Sequence, residues 1–267
     1  MDWDAAYSNS GAVPQAPDYL KRWESAAAAF RGTAANARLD VVYGDADRAR
    51  YDLFLPDQPA KGLAIFIHGG YWRILSKDSF SHLASGALAH GWAVAIPSYT
   101  LCPAIRISGI TQQIAEMIEH AADTVPGPVR IAGHSAGGHL ASRMACTDVA
   151  LSKEVSERIS HVLSISGVHD LRPLMETGMN ADFQLDDDEA EAESPALQIP
   201  RPGTHLTAWV GGDELPEFLR QNALIANIWT GLGAACQAVE DTRRHHFDVI
   251  EALADPRSPL TRCWLDD

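Results

Sequence analysis

Positive charge is scarce in this chain: 21 Lys and Arg stand against 35 Asp and Glu in 267 residues, a formal net charge of −14. So acidic a surface repels polyanions, which argues against nucleic acid and anionic membrane surfaces as partners. Long apolar stretches are missing too, since no run of uncharged apolar residues reaches the ~18 that a membrane-spanning helix needs. The acidic start Met1-Asp2-Trp3-Asp4 leads into no signal-peptide core, so a cytoplasmic location is expected. Cysteine is sparse: Cys102, Cys146, Cys236 and Cys263 are scattered without metal-site or redox spacing, which points to reduced thiols rather than disulfides. The eleven histidines form no H-x-x-x-H or H-E-x-x-H pair, so neither a zinc site nor any other cofactor is expected.

What is present is an alternation of short apolar runs with helical stretches. Residues 1–35 read as an N-terminal helical appendage: a loop containing Pro14 and Pro17, then a helix from about Asp18, whose carboxylate is placed to cap it, to Arg31. Two alternating runs, 39–43 and 50–55, flank the turn-rich 44–47 and predict an antiparallel hairpin. From Leu63 onward, strand-like runs at 63–67, 93–96, 129–132, 161–165, 205–210 and 234–239 alternate with helical ones. This order predicts a sheet of roughly eight strands, mostly parallel, with helices on both faces, in one domain spanning 1–267. Between two of the runs, Ile110, Ile114, Met117, Ile118 and Ala121 share one face of a core helix. The less regular segment from about 167 to 203 reads as a small cap-like insertion. Its acidic run Asp186-Asp187-Asp188-Glu189 lacks the spacing of a calcium loop and reads as a solvated helix start.

Gly133-His134-Ser135-Ala136-Gly137 follows the apolar run 129–132 directly and opens a helical stretch. A strand turning at once into a helix strains its central residue, and glycines two positions to either side let the chain pass itself. The strain lifts the Ser135 hydroxyl above the strand ends, while the Ala136 amide sits at the helix N-terminus, where it can meet an oxyanion. Upstream, the run 63–67 ends in His68-Gly69-Gly70-Tyr71-Trp72, a loop of the type that supplies a second oxyanion amide. A serine hydroxyl needs a base and a carboxylate to attack at neutral pH, in the chain order Ser, acid, His. Gly211-Gly212-Asp213-Glu214 follows one late strand, with Glu214 taken over its neighbour Asp213 as the acid. His245-His246 follows the last strand, with His246 taken as the base because it stands directly before an apolar helix start. His68, His134 and His139 are expected to shape the loop and elbow, with His134 and Trp72 also beside the substrate pocket, and Cys146 to be a small buried apolar residue.

Together with Ser194-Pro195, Glu214-Leu215-Pro216-Glu217-Phe218 and His246-Phe247-Asp248, these motifs resemble the α/β-hydrolase-fold arylformamidases, or kynurenine formamidases, within the broader hormone-sensitive-lipase-like esterases. The similarity spans about residues 60 to 255. It implies an α/β-hydrolase fold, Ser135 as nucleophile, Glu214 as acid and His246 as base, with the amides of Gly70, Tyr71 and Ala136 as the oxyanion hole. The activity it implies is removal of a small acyl group from an amide or ester, most of all an aryl formamide such as N-formylkynurenine. A short-chain carboxylesterase or thioesterase is the alternative. The implied partner is a small-molecule acyl substrate, and the sheet edge leaves pairing into a homodimer open. This chain departs from animal members at Glu214-Leu215, where they carry aspartate and serine.

Overall fold

A computed structural model describes residues 1–266. Its sheet runs in the order β1-β2-β4-β3-β5-β6-β7-β8. In chain order these are β1 Ala37–Val42, β2 Arg50–Phe54, β3 Leu63–Ile67, β4 Ala93–Pro97, β5 Val129–His134, β6 Ile159–Ile165, β7 His205–Gly211 and β8 Ala235–Asp241. Only β2 opposes its neighbours; every other pairing is parallel, apart from the β1–β2 hairpin itself. The C-terminal ends of β3, β5, β6, β7 and β8 therefore share one edge, where open parallel sheets gather their ligands.

The helices are α1 Trp3–Ala6, α2 Asn9–Ala12, α3 Ala16–Thr33, α4 Ala84–Ala89, α5 Ile107–Thr124, α6 Ala136–Arg143, α7 Lys153–Arg158, α8 Asn180–Phe183, α9 Asp187–Ala192, α10 Pro216–Gly231 and α11 Pro259–Leu265. Side-chain alternation along β3 sorts them into two layers. Leu63, Ile65 and Ile67 join one apolar cluster with α5, α6 and α10, while Ala64 and Phe66 join a second with α3, α4 and α11. All five residues of β3, like those of β4, are buried on both faces, as expected for central strands between helical layers.

Three expectations need correction. Residues 1–13 are not a plain loop: Asp2 caps α1 by accepting from the Ala5 amide, and Tyr7, just after α1, is buried to 1% exposure. Asp18 does not cap α3, which begins two residues earlier with Pro17 in its first turn and leaves Asp18 inside that turn. The acidic run does open a helix, with Asp186 accepting from the Glu189 amide, but it is not wholly solvated. Glu189 is buried and meets Arg106 and the Ser108 amide, and Glu193 is buried between Arg143 and the Thr111 hydroxyl. Those pairings dock the 167–203 segment onto α5 and α6, and a buried carboxylate needs them to offset its desolvation.

Candidate active site

The bend at Ser135 is set by backbone crowding. Ser135 has φ 55° and ψ −119°, and its amide donates to Ile165 O at the end of β6. A Cβ on Gly133 would lie 1.9 Å from Gly137 O, and one on Gly137 would lie 2.0 Å from Ile67 O. No side chain larger than hydrogen fits either place, so the two glycines are what allow β5 to turn straight into α6.

The loop after β3 closes over this bend. A Cβ on Gly69 would fall 2.7 Å from His134 O and 3.0 Å from Ser135 Cβ, which puts the loop backbone against the serine. Gly70 has φ 110°, and Tyr71 and Trp72 follow at φ 50° and 54°. Two consecutive non-glycine residues in the left-handed region cost about 1–2 kcal/mol each. Among the described residues the amides of Gly70, Tyr71 and Ala136 donate to no protein acceptor, so all three N–H groups are free for a ligand.

Glu214 and His246 meet on the same strand edge. Glu214 Oε2 accepts from His246 Nδ1 at 2.6 Å, while Oε1 accepts from the Gly211 amide at 2.8 Å and from the Ser166 hydroxyl. Three donors on one buried carboxylate fix its plane and with it the ring of His246. His246 Nε2 and Ser135 Oγ are engaged by no hydrogen bond among the described residues. The His134 ring, one residue before the serine, stands 4.7 Å from the His246 ring, and its Nε2 donates to His246 O at 2.8 Å. The chain around the serine thus holds the main chain of the imidazole. Phe218 also packs edge-on against that imidazole, with ring centroids 4.7 Å apart.

The neighbours weighed in the sequence lie elsewhere. Asp213 is exposed, and its amide donates to Arg244 O. His245 packs on Tyr19 and accepts from the Phe247 amide. Two residues expected beside the pocket are as buried as Ser135 and His246. Trp72 is a core side chain at 1% exposure, edge-on to both His139 and Phe183, and His134 is buried and committed to His246. The reason is the same for both: the 167–203 segment and the His246 loop cover them. His68 donates to Gly69 O and stacks on Tyr99 and Phe80; burial pushes its pKa down to about 4. His139 donates to Glu193 O, with its pKa lowered by burial to about 3, and His134 is pushed well down by burial and by its histidine neighbour. Burial raises the Cys146 thiol to about 12, which leaves it inert as a nucleophile. Sequence reasoning missed Ser166 as a donor to Glu214; its φ of 52° at the end of β6 is a backbone feature that no motif announces.

A serine on a strained strand-to-helix bend, beside free loop amides and on the same edge as a carboxylate-bound imidazole, defines a hydrolytic enzyme acting on acyl groups. The chain belongs to the α/β-hydrolase-fold family, whose profile matches residues 64–201. It is similar to the kynurenine formamidase of Danio rerio, with 29% identity over 238 residues covering 85% of this chain and 80% of that one. The kynurenine formamidase of Salmo salar is 28% identical, with coverages of 86% and 82%. A crystal structure described as a putative thioesterase from Silicibacter sp. TM1040 superimposes with a TM-score of 0.94 at 47% identity, covering 99% of both chains.

Proposed function

We propose that Ser135 is the nucleophile, His246 the general base and Glu214 the acid of a serine hydrolase, with the amides of Gly70, Tyr71 and Ala136 as its oxyanion hole. The carrying observation is the Glu214–His246 bond of 2.6 Å, which leaves Nε2 as the unengaged nitrogen at the edge where Ser135 stands. In this reading His246 Nε2 takes the Ser135 proton as Oγ attacks the carbonyl carbon, then gives it to the departing amine or alcohol. Water, deprotonated by the same nitrogen, releases the acyl group and restores the serine. Each oxyanion donor contributes ~3 kcal/mol to transition-state stabilisation.

The substrate we infer is an aryl formamide such as N-formylkynurenine. A formyl group presents only hydrogen on the acyl side, which suits an oxyanion loop crowded by Tyr71 and by the buried Trp72. The 167–203 segment, seated against Trp72 through Phe183, then acts as a small cap on the leaving-group side. The likeness to kynurenine formamidases over most of the chain supports the same choice. A short-chain ester or thioester substrate is the second reading, supported by the high identity to the putative thioesterase. Four unpaired thiols suit a reducing, cytoplasmic compartment.

Two measurements test this. Ser135→Ala should lower turnover of any good acyl substrate by at least about 10⁴-fold, and near-parental turnover would overturn the mechanism. Parallel rates on N-formylkynurenine, short p-nitrophenyl esters and acyl thioesters decide the substrate, since an ester or thioester preferred by orders of magnitude would displace the formamide.

A further inference from the structure

The N-terminal segment crosses the chain to the loop after β3 and grips the side chain of Tyr71 there. Tyr71 donates its phenol to Tyr7 O and accepts from Asn9 Nδ2 at 2.9 Å. Burial pushes the Tyr71 phenol up to about 12, so it stays a donor through the neutral range. Tyr7 and Asn9 are themselves buried to 1% and 2% exposure. The Tyr7 hydroxyl donates to Glu217 Oε1 at 2.7 Å and accepts from Gln221 Nε2 at 3.1 Å, both on α10. Its ring stands edge-on to Phe218, which packs in turn on His246. Asp4 accepts from the Gly178 amide in the 167–203 segment. Residues 4–9 therefore bind the oxyanion loop, the helix behind the imidazole and the covering segment at once.

We propose that this strap positions the oxyanion hole: through Asn9 and the Tyr7 carbonyl it fixes the tilt of Tyr71 and so the aim of the Tyr71 amide. Asn9 and Tyr7 are positioning residues, acting only through Tyr71. The inference rests on the hydrolase reading given above. The physical need is plain from the backbone. Tyr71 sits at φ 50° between Gly70 at 110° and Trp72 at 54°; strained torsions persist only where several contacts over-determine them, and the strap adds its hold at the Tyr71 side chain to the bonds that Gly70 O accepts from the Arg73 and Ile74 amides. An oxyanion donor acts only if it points at the place where charge develops, so a tilt of the peptide removes part of its effect without touching substrate affinity.

The test uses the full chain with Asn9→Ala, Tyr71→Phe and the double variant, on p-nitrophenyl acetate. Active sites are counted with a fluorophosphonate, and each protein's melting temperature is recorded. Complete loss of one oxyanion donor costs about 10²–10³-fold, so partial misaiming should lower kcat per titrated site about tenfold, with KM within about twofold of the parent. The two substitutions break one linkage, so the double variant should lose no more than Tyr71→Phe alone. Affinity for a boronic acid, whose serine adduct carries the tetrahedral oxygen, should fall by the same factor. A kcat per titrated site within about twofold of the parent for both single variants, or losses that multiply in the double, would overturn the proposal, whatever happens to the melting temperature. Tyr71→Phe keeps the ring, so it stays informative if Asn9→Ala folds poorly. Should Ser135→Ala keep its turnover, the hydrolase reading itself has failed; an inactive Ser135→Ala beside unaffected strap variants sinks the strap alone.

Discussion

The two sides of the site are held by different kinds of structure. On the serine side the main chain does the holding: Gly133, Ser135 and Gly137 pack backbone on backbone, and β5 is hydrogen-bonded between β3 and β6. On the imidazole side the holding is by side chains from distant parts of the chain. Glu214 and Ser166 are 48 residues apart, Glu214 and His246 32 apart, and Tyr7 and Glu217 210 apart. The backbone side is all-or-none, because a steric conflict there has nowhere to go. The side-chain side is divisible, because each bond can be removed singly.

Gly133→Ala should break that comparison most severely: with a methyl 1.9 Å from Gly137 O, the elbow cannot form, and the variant should lose both cooperative melting and turnover. A folded, active Gly133→Ala would show that the main chain is softer than it looks. Glu214→Gln should fold normally but lose about 10⁴-fold in kcat, since an amide cannot stabilise the imidazolium and favours the wrong tautomer.

Acidification should separate the two sides next. A histidine with its pKa lowered by burial contributes stability that is present above about 6.5, because below that the unfolded chain takes up protons that the native state refuses. Here His68 at about 4 and His139 and His169 at about 3 lie around the elbow, with His134 also lowered well below its ordinary value. Glu217 on the strap side is lowered from 4.5; burial works against that shift, and Arg220, Tyr7 and Gln221 outweigh it, so its contribution is lost only below that range. Melting temperature should therefore fall by several degrees between pH 7 and pH 5, before the strap carboxylate titrates. A flat profile over that interval would contradict the buried neutral histidines. The mildest change is Ser166→Ala, which removes one of three donors to Glu214 and should cost about 1 kcal/mol in transition-state stabilisation, or five- to tenfold in kcat.

The same division explains what could be read beforehand. The elbow, the His-Gly-Gly loop and every strand of the sheet were legible because local crowding and alternation leave residue patterns: glycine where no Cβ fits, apolar pairs where a strand is covered twice. The order of acid and histidine was legible from strand ends, although choosing Glu214 over Asp213 turns on a burial difference that residue type does not carry. The strap was illegible because nothing near Tyr7 or Asn9 indicates a partner on another strand end, and a phenol beside an asparagine looks like any polar turn. The burial of Trp72 was illegible for a related reason: only the docking of the 167–203 segment, through Arg106–Glu189 and Arg143–Glu193, sets Phe183 against it.

The bond from His134 Nε2 to His246 O bears on engineering of this scaffold. Loops that follow the last strand are obvious modules for grafting new specificity from a homologue. Here the incoming module would have to offer its carbonyl to the residue beside the recipient's serine, so position 134 and the transplanted loop form one cassette and should be exchanged together.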